Sequence, residues 1–242
     1  MDRGLSVSWY DLPPSGAERY LTWLHGSYLP RLLKAPGVLW AAHYKVEKSI
    51  TPLSRLRHTR DASVPRGNSY ILLLGGKTAH AFASLTPYKL AATLNAEDKQ
   101  MLAMRRGERR NIFAEEARAD GPQVKRRDAK GTPAQCIQLG SFNAGSWRNE
   151  DEVLSWYAHF RLPSMETMPG SVGIRKLASV SGWAKHGVMY EFTSLEERAK
   201  HFRAHEAKDP LMAAWTHAVV VKLLHAPGSP NVAQRIWPPV RR

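Results

Sequence analysis

The sequence predicts an α+β chain: two tandem β-α-β-β-α-β units whose antiparallel sheets face each other and close a barrel within one chain. The first observation behind this is an internal repeat. Trp23, Leu29, Pro30, Pro36 and Gly37 recur as Trp156, Leu162, Pro163, Pro169 and Gly170, so Trp-x5-Leu-Pro-x5-Pro-Gly occurs twice, without a gap, 133 residues apart. A period that long makes each copy a whole structural unit. The second observation is that strand-like alternation and helix-like spacing follow the same order in both halves. The third is a packing requirement. Such a sheet carries helices on one face only, so its other face needs a cover, and a second copy in the same chain supplies one.

The first copy opens with Leu5, Val7 and Trp9 alternating with Ser6, Ser8 and Tyr10, a strand pattern. Ser15 with Glu18 three residues on reads as a capping box, followed by Tyr20, Leu21, Leu24 and Tyr28 at helical spacing. Pro30 bends the exit and Pro36-Gly37 makes a turn. Strands are expected over 38–48 and 70–82, a helix after Thr86-Pro87, and a last strand over 111–116. In the second copy Ile137 and Leu139 alternate with Gln138 and Gly140. Asn149 then precedes Glu150, Asp151 and Glu152, acids suited to a helix start. Strands over 172–181 and 188–192, a helix after Thr193-Ser194 and a last strand over 218–224 complete it. This doubled order is ferredoxin-like. The expected organisation is a first repeat over 1–122 with an insertion at 49–68, a basic linker over 123–133, and a second repeat over 134–242. The insertion is expected to cover one mouth of the barrel. The tail around Trp237, Pro238 and Pro239 is expected to be a C-terminal arm that docks on a neighbouring subunit.

Composition bounds the function. The chain has 242 residues, 43% hydrophobic and 23% charged, enough for a sizeable core and unlike a disordered chain. Its single cysteine, Cys136, excludes an internal disulfide and fits a reducing compartment. With no signal-peptide core and no long apolar run, a cytoplasmic, non-membrane protein is expected. Lys and Arg total 35 against 21 acids, a net charge of +14. Residues 45–66 hold six cations against two acids, and residues 101–130 hold nine, Lys130 among them, against five. Those stretches contain almost no aromatic residues, which argues against nucleic acid. They fit the attraction of an acidic small molecule.

The helix ending in Leu-Pro-x5-Pro-Gly, within the doubled order of elements, resembles the dimeric α/β-barrel superfamily and within it the EthD-like proteins. The resemblance implies two sheets facing each other across an enclosed, ligand-sized cavity, and a homodimer or higher homo-oligomer. It implies chemistry of the kind found in related isomerases, lyases, decarboxylases and quinone-forming oxygenases. Where EthD-like proteins show histidine two residues before the proline, this sequence has Tyr28 and Arg161, with His25 and His159 nearby but out of register.

If the helices take Leu5, Val7, Ile137 and Leu139, then Ser6, Ser8, Tyr10, Gln138 and Gly140 face the barrel interior. Arg175 then faces inward; its first-copy counterpart is Ala42, with His43 beside it and Trp40 two residues earlier. The candidate catalytic residues are His43, Arg175, Glu191, His25 and Tyr28. The candidate substrate-binding residues are Tyr10, Trp40, His159, Arg161, Glu115, Lys222 and His225. A His or Glu would move protons while Arg175 holds an anionic group. The expected activity is cofactor-independent, of lyase, isomerase or oxygenase type, on a small aromatic or carboxylate-bearing metabolite of catabolism. The alternatives are a non-catalytic ligand-binding or assembly module, and a haem-binding barrel with His217 or His225 as axial ligand. No metal is expected, since His201 and His205 share a helical face without a third ligand. Gly76-Lys77-Thr78 lacks a phosphate-loop glycine at Ile71, and no Gly-x-Ser-x-Gly elbow occurs.

Overall fold

A computed structural model describes residues 1–50, 55–128 and 131–240. Lys130 of the basic stretch, part of the insertion (51–54) and the last two arginines lie outside the described residues. The strands are β1 (Gly4–Asp11), β2 (Val38–Val46), β3 (Arg57–His58), β4 (Tyr70–Gly76), β5 (Arg106–Asp120), β6 (Cys136–Asn143), β7 (Ser171–Ser181), β8 (His186–Phe192), β9 (Leu224–His225) and β10 (Asn231–Trp237). The helices are α1 (Ala17–Trp23), α2 (Leu29–Leu32), α3 (Pro87–Leu90), α4 (Ala96–Leu102), α5 (Glu150–Trp156), α6 (Leu162–Thr167), α7 (Leu195–Glu206) and α8 (Pro210–Val220).

Eight strands close an antiparallel barrel in the order β10-β2-β4-β1-β5-β7-β8-β6, and β6 returns to β10. Each half therefore runs second, third, first, fourth in its own chain order. The halves join at β5–β7 and at β10–β2, where Arg235 faces Tyr44 and Gln234 faces Lys45. β3, inside the first-half insertion, pairs in parallel with β9 of the second half.

One apolar cluster takes residues from all eight barrel strands and none from a helix, which marks it as the lumen: Leu5, Val7, Trp9, Tyr44, Phe113, Ile137, Leu139 and Met189 are among its members. Two further clusters combine the outer strand faces with the helices of each half. On β2 and β7 the faces are as expected, with Trp40, Ala42 and Arg175 on the lumen side and Ile174 toward the helices. On β1 and β6 the alternation is real, but its phase is opposite to the expected one. Leu5, Val7, Ile137 and Leu139 fill the barrel, while Ser6, Ser8, Tyr10, Gln138 and Gly140 turn outward beneath the helices. An eight-stranded barrel is just wide enough for side chains to fill, and a dry lumen takes the apolar face. Alternation separates two faces without saying which is inside.

Other elements differ from expectation for local reasons. Residues 218–224 are not the last strand. Asp209 caps α8 by accepting from the Leu211 and Met212 N–H groups, Pro210 fits its first turn, and the Val219-Val220 run ends a helix. The last strand is β10, which closes the barrel and includes the first two residues of the expected tail, Ile236 and Trp237. β4 stops at Gly76 and a 3₁₀ segment covers Ala79–Leu85. Ser15 makes no cap; Gly16 stands there with φ +89°. The repeat motif has one meaning in both copies: Leu24–Tyr28 and Tyr157–Arg161 are π-turns running straight into Leu-Pro. A proline cannot follow a regular turn without clashing with the carbonyl four residues back, and widening the turn before it relieves the clash. Pro-Gly then reverses the chain at Gly37 (φ +83°) and Gly170 (φ +75°). Among the described residues no helix is long and apolar enough to cross a membrane.

Candidate functional site

Outside the packed lumen, two cavities lie between the sheets and the helices, one in each half. In the first half the outward faces of β1 and β2 carry Tyr10 and His43. The Tyr10 hydroxyl lies 2.8 Å from His43 Nε2, and His43 Nδ1 lies 2.9 Å from His25 Nε2 on the π-turn. Behind Tyr10, the Tyr20 hydroxyl donates to it at 3.3 Å, and Arg105 Nε donates to Tyr20 at 2.6 Å. Hydrogen bonds thus run from Arg105 through Tyr20, Tyr10 and His43 to His25. Burial first, and then His25 and the Arg105 charge, hold His43 well below its ordinary pKa. Burial lowers His25 to about 4 and pushes Tyr10 well up. Burial works against the Arg105 charge, but Tyr20, Tyr10 and Glu108 outweigh it and raise its pKa.

In the second half a cavity of about 120 Å³ lies at the corresponding place, under α5, α7 and α8. Trp156, Tyr157, Tyr190 and Phe202 give it aromatic walls, and Ile50, Arg55 and Leu56 of the insertion lie against it. Arg161, on the π-turn, is buried with its guanidinium 4.9 Å from the Phe202 ring centre and 5.1 Å from that of Tyr190, and its Nε donates to the Tyr190 hydroxyl at 3.2 Å. Arg198 donates from Nε to Gln138 Oε1 at 3.0 Å. Four arginines, Arg55, Arg161, Arg198 and Arg203, face this space with one carboxylate, Glu206. His225 also lines it. Its Nδ1 is buried, and burial, then His58, lower its pKa to about 4 against a hydrogen bond with the Arg57 backbone that raises it. It is a neutral imidazole at pH 7.

The sequence candidates fall into three groups. His25, His43 and Tyr10 come together in the hydrogen-bonded chain, and Tyr28 lies nearby, stacked on Trp23 at 4.7 Å. Arg161 and His225 share the second-half cavity. The rest are occupied elsewhere. Arg175, 2% exposed, gives Nε to Glu115 at 2.6 Å and Nη1 to Asp2 at 2.8 Å, so it holds two carboxylates of the chain and is not free for a substrate anion. Trp40 donates to Asp2 at 3.0 Å. Glu191 accepts from the Ala134 N–H at 2.8 Å and from Arg127 at 3.1 Å. Lys222 pairs with Glu152, His159 is exposed, and so is His217. Tyr20, Arg105, Arg198 and Tyr190 were missed. Arg105 and Arg198 sit in charged runs that read as solvated surface, and Tyr20 reads as plain helix core. Only the reversed strand phase could have pointed to them. Ile50, Arg55 and Leu56 of the insertion lie against the second-half cavity, while Gly67 at its far end accepts from Arg109, whose guanidinium lies over Trp9 of the lumen.

Haem does not fit. The exposed His217 offers no enclosed ligand. His225 faces a space of about 120 Å³, far smaller than a porphyrin with its several fused rings fills. Among the described residues no three metal-ligating side chains converge.

No family model matches the sequence, and no curated protein matches it. Solved structures share the fold. A candidate monooxygenase from Fusobacterium nucleatum superposes with TM-score 0.60 and 9% identity, covering 97% of this chain and 93% of that one. An anthrone oxidase-like protein gives 0.57 and 11%, covering 98% and 92%. A candidate chlorite dismutase gives 0.52 and 12%, covering 98% and 95%. The chain thus has the fold of the dimeric α+β barrels, a fold shared with proteins described as small-molecule enzymes.

Proposed function

We propose that the chain is a cofactor-independent acid–base enzyme that takes a small anionic aromatic molecule at the second-half cavity, whose open side lets the ligand extend beyond its ~120 Å³. On this reading it is a fusion of two ferredoxin-like repeats, nearest in kind to EthD-like proteins through the Leu-Pro-x5-Pro-Gly helix. The observation that carries the function is His225: a buried, neutral imidazole lining an aromatic space where arginines outnumber carboxylates by four to one. Arg198 and Arg161 would hold the carboxylate by charge-assisted hydrogen bonds. Trp156 and Phe202 would bracket the ring, and His225 Nδ1 would accept a proton from a phenolic O–H or an activated C–H. The substrate's own negative charge raises the proton affinity of the imidazole when it binds, moving a weak base toward a useful one. Likeness of fold to candidate monooxygenases adds dioxygen as a co-reactant worth supplying, and fold alone selects no reaction.

Salicylate titrated into the protein, followed by calorimetry, is expected to bind with about one site per chain and to lose about tenfold in affinity in Arg198→Met. 2,4-Dihydroxybenzoate in D₂O is expected to exchange ring protons faster with the protein than without it, and His225→Phe should abolish the difference. Absence of salicylate binding at millimolar concentration would overturn the proposal. A second reading, binding without turnover, is favoured by the packed lumen. It is supported if salicylate binds while neither proton exchange nor oxygen uptake accelerates.

A further inference from the structure

The first half contains its own cavity, of about 170 Å³, at the place that corresponds to the second-half site. The correspondence is residue by residue. Ser6 and Ser8 stand where Gln138 and Gly140 stand, Leu72 and Leu74 where Val188 and Tyr190 stand, and Tyr28 where Arg161 stands. The chemistry differs. Here the walls are aliphatic, with Leu32, Leu72, Leu74, Leu85, Leu90 and Leu102 among them. The polar groups are Arg105, Arg110 and Glu108, with Tyr28 and the two serines. Two cations against one carboxylate leave a surplus of one positive charge.

Arg105 is the group that asks for a ligand. Its side chain is 5% exposed, its Nη1 donates to Glu108 at 2.7 Å and its Nε to Tyr20, while Nη2 is buried with no partner. A buried guanidinium N–H left unpaired beside a leucine-lined space is costly, and an anionic oxygen placed in that space would satisfy it.

We infer that this cavity is a second binding site, separate from the proposed aromatic site, for an unbranched aliphatic carboxylic acid of about five carbons, its carboxylate on Arg105 Nη2. The length follows from the volume: a ~150 Å³ apolar cavity holds the six carbon atoms of benzene, so about 170 Å³ holds about seven non-hydrogen atoms, the carbons and oxygens of pentanoate. The single surplus charge fits one carboxylate, and unbroken aliphatic walls suit a chain better than a polar or charged body. The bound carboxylate would join the hydrogen-bonded series Arg105–Tyr20–Tyr10–His43–His25, linking the occupied cavity to the half-buried His25.

The test is binding of pentanoate, followed by calorimetry and by the ¹³C shift of a labelled carboxyl. One pentanoate per chain is expected. The uncharged isostere pentanol should bind at least about tenfold more weakly. Arg105→Met is expected to remove the difference between acid and alcohol. Because Arg105 also holds Tyr20 and Glu108, a second variant, Leu90→Trp, fills the cavity while keeping the charge and should abolish binding of both. His225→Phe and Arg198→Met should leave pentanoate binding unchanged, so this site and the aromatic site stand or fall separately. Equal affinity for pentanoate and pentanol, pentanoate binding unaffected by Leu90→Trp, or no binding at millimolar pentanoate would each overturn the inference.

Discussion

His25 Nε2 lies 2.9 Å from His43 Nδ1, and both imidazoles are held neutral by burial. With the Tyr20 hydroxyl donating toward Tyr10, a Tyr10 hydroxyl that donates to His43 Nε2 and a His43 Nδ1–H directed at His25 would satisfy every group in the row.

The folded pKa values of these histidines lie below the ordinary value near 6.5, so the unfolded chain binds more protons between pH 6.5 and about 4. Their contribution to stability is fully present above pH 6.5 and is lost as pH falls through that window. Each neutral histidine adds up to about 1.4 kcal/mol per pH unit to the slope. His186, His205 and His225 are also lowered and add to the total. Urea unfolding from pH 7 to 4.5 is therefore expected to show falling stability, with a smaller slope in His43→Phe. An equal slope in the variant would mean that His43 is charged in the fold.

Arg175 is predicted to serve stability and not ligand binding. Asp2 lies between Arg175 and Arg118 and also accepts from Trp40, while Glu115 takes Arg175 and Arg118 together. Removing the central cation leaves two carboxylates with only Arg118, which is itself partly exposed. Breaking such a buried network costs about 3–5 kcal/mol. Arg175→Met is expected to fall in that range by urea denaturation. Unaltered stability together with lost salicylate binding would reverse the assignment.

Gly75 is predicted to tolerate no side chain. It sits on β4 beside Trp40 of β2, and a Cβ built there would fall inside the indole ring. Overpacking of a filled core costs about 1–3 kcal/mol. Gly75→Ala should therefore destabilise the barrel and disturb the near-ultraviolet dichroism of Trp40. The smaller ring of Trp40→Phe should recover part of the loss in the double variant, the coupling expected for touching residues.

The barrel was legible in the sequence because its signals are local and doubled. Trp23 and Trp156 with their Leu-Pro and Pro-Gly partners marked equivalent helices and turns, and both turned out to carry the same π-turn. The site was legible only by residue type. His25 and Arg161 were singled out by their place in the repeat motif, and Tyr10, His43 and His225 on the assumption that polar strand faces look into the barrel. Alternation along Leu5 to Tyr10 cannot carry that information, because both faces of these strands are buried, one by the opposite sheet and one by helices. Arg175 misled for a related reason: Asp2, its partner, lies 173 residues away and in no recognisable element.

The end of the chain was misread in a way that yields the sharpest test of the fold. Ala218 to Leu224 has strand propensity, but Asp209 and Pro210 start a helix that runs into it, and cap and helix together outweigh a short β-branched run. The closing role passes to β10, whose Ala233 is wholly buried and pairs with Val46 on one side and Ile137 on the other. Without β10 the outer edges of β2 and β6 would lie open and the lumen would meet water at Tyr44 and Ile137. Truncation after residue 230 is therefore expected to abolish cooperative unfolding and to leave an aggregation-prone chain. A peripheral arm would behave differently: its loss would give a folded protein of lower oligomer mass. Ala233→Asp tests the same point with the chain length kept, since it places an unpaired charge in the lumen. It should unfold the protein as the truncation does, whereas Gln234→Asp, one residue on and exposed, should leave the fold intact.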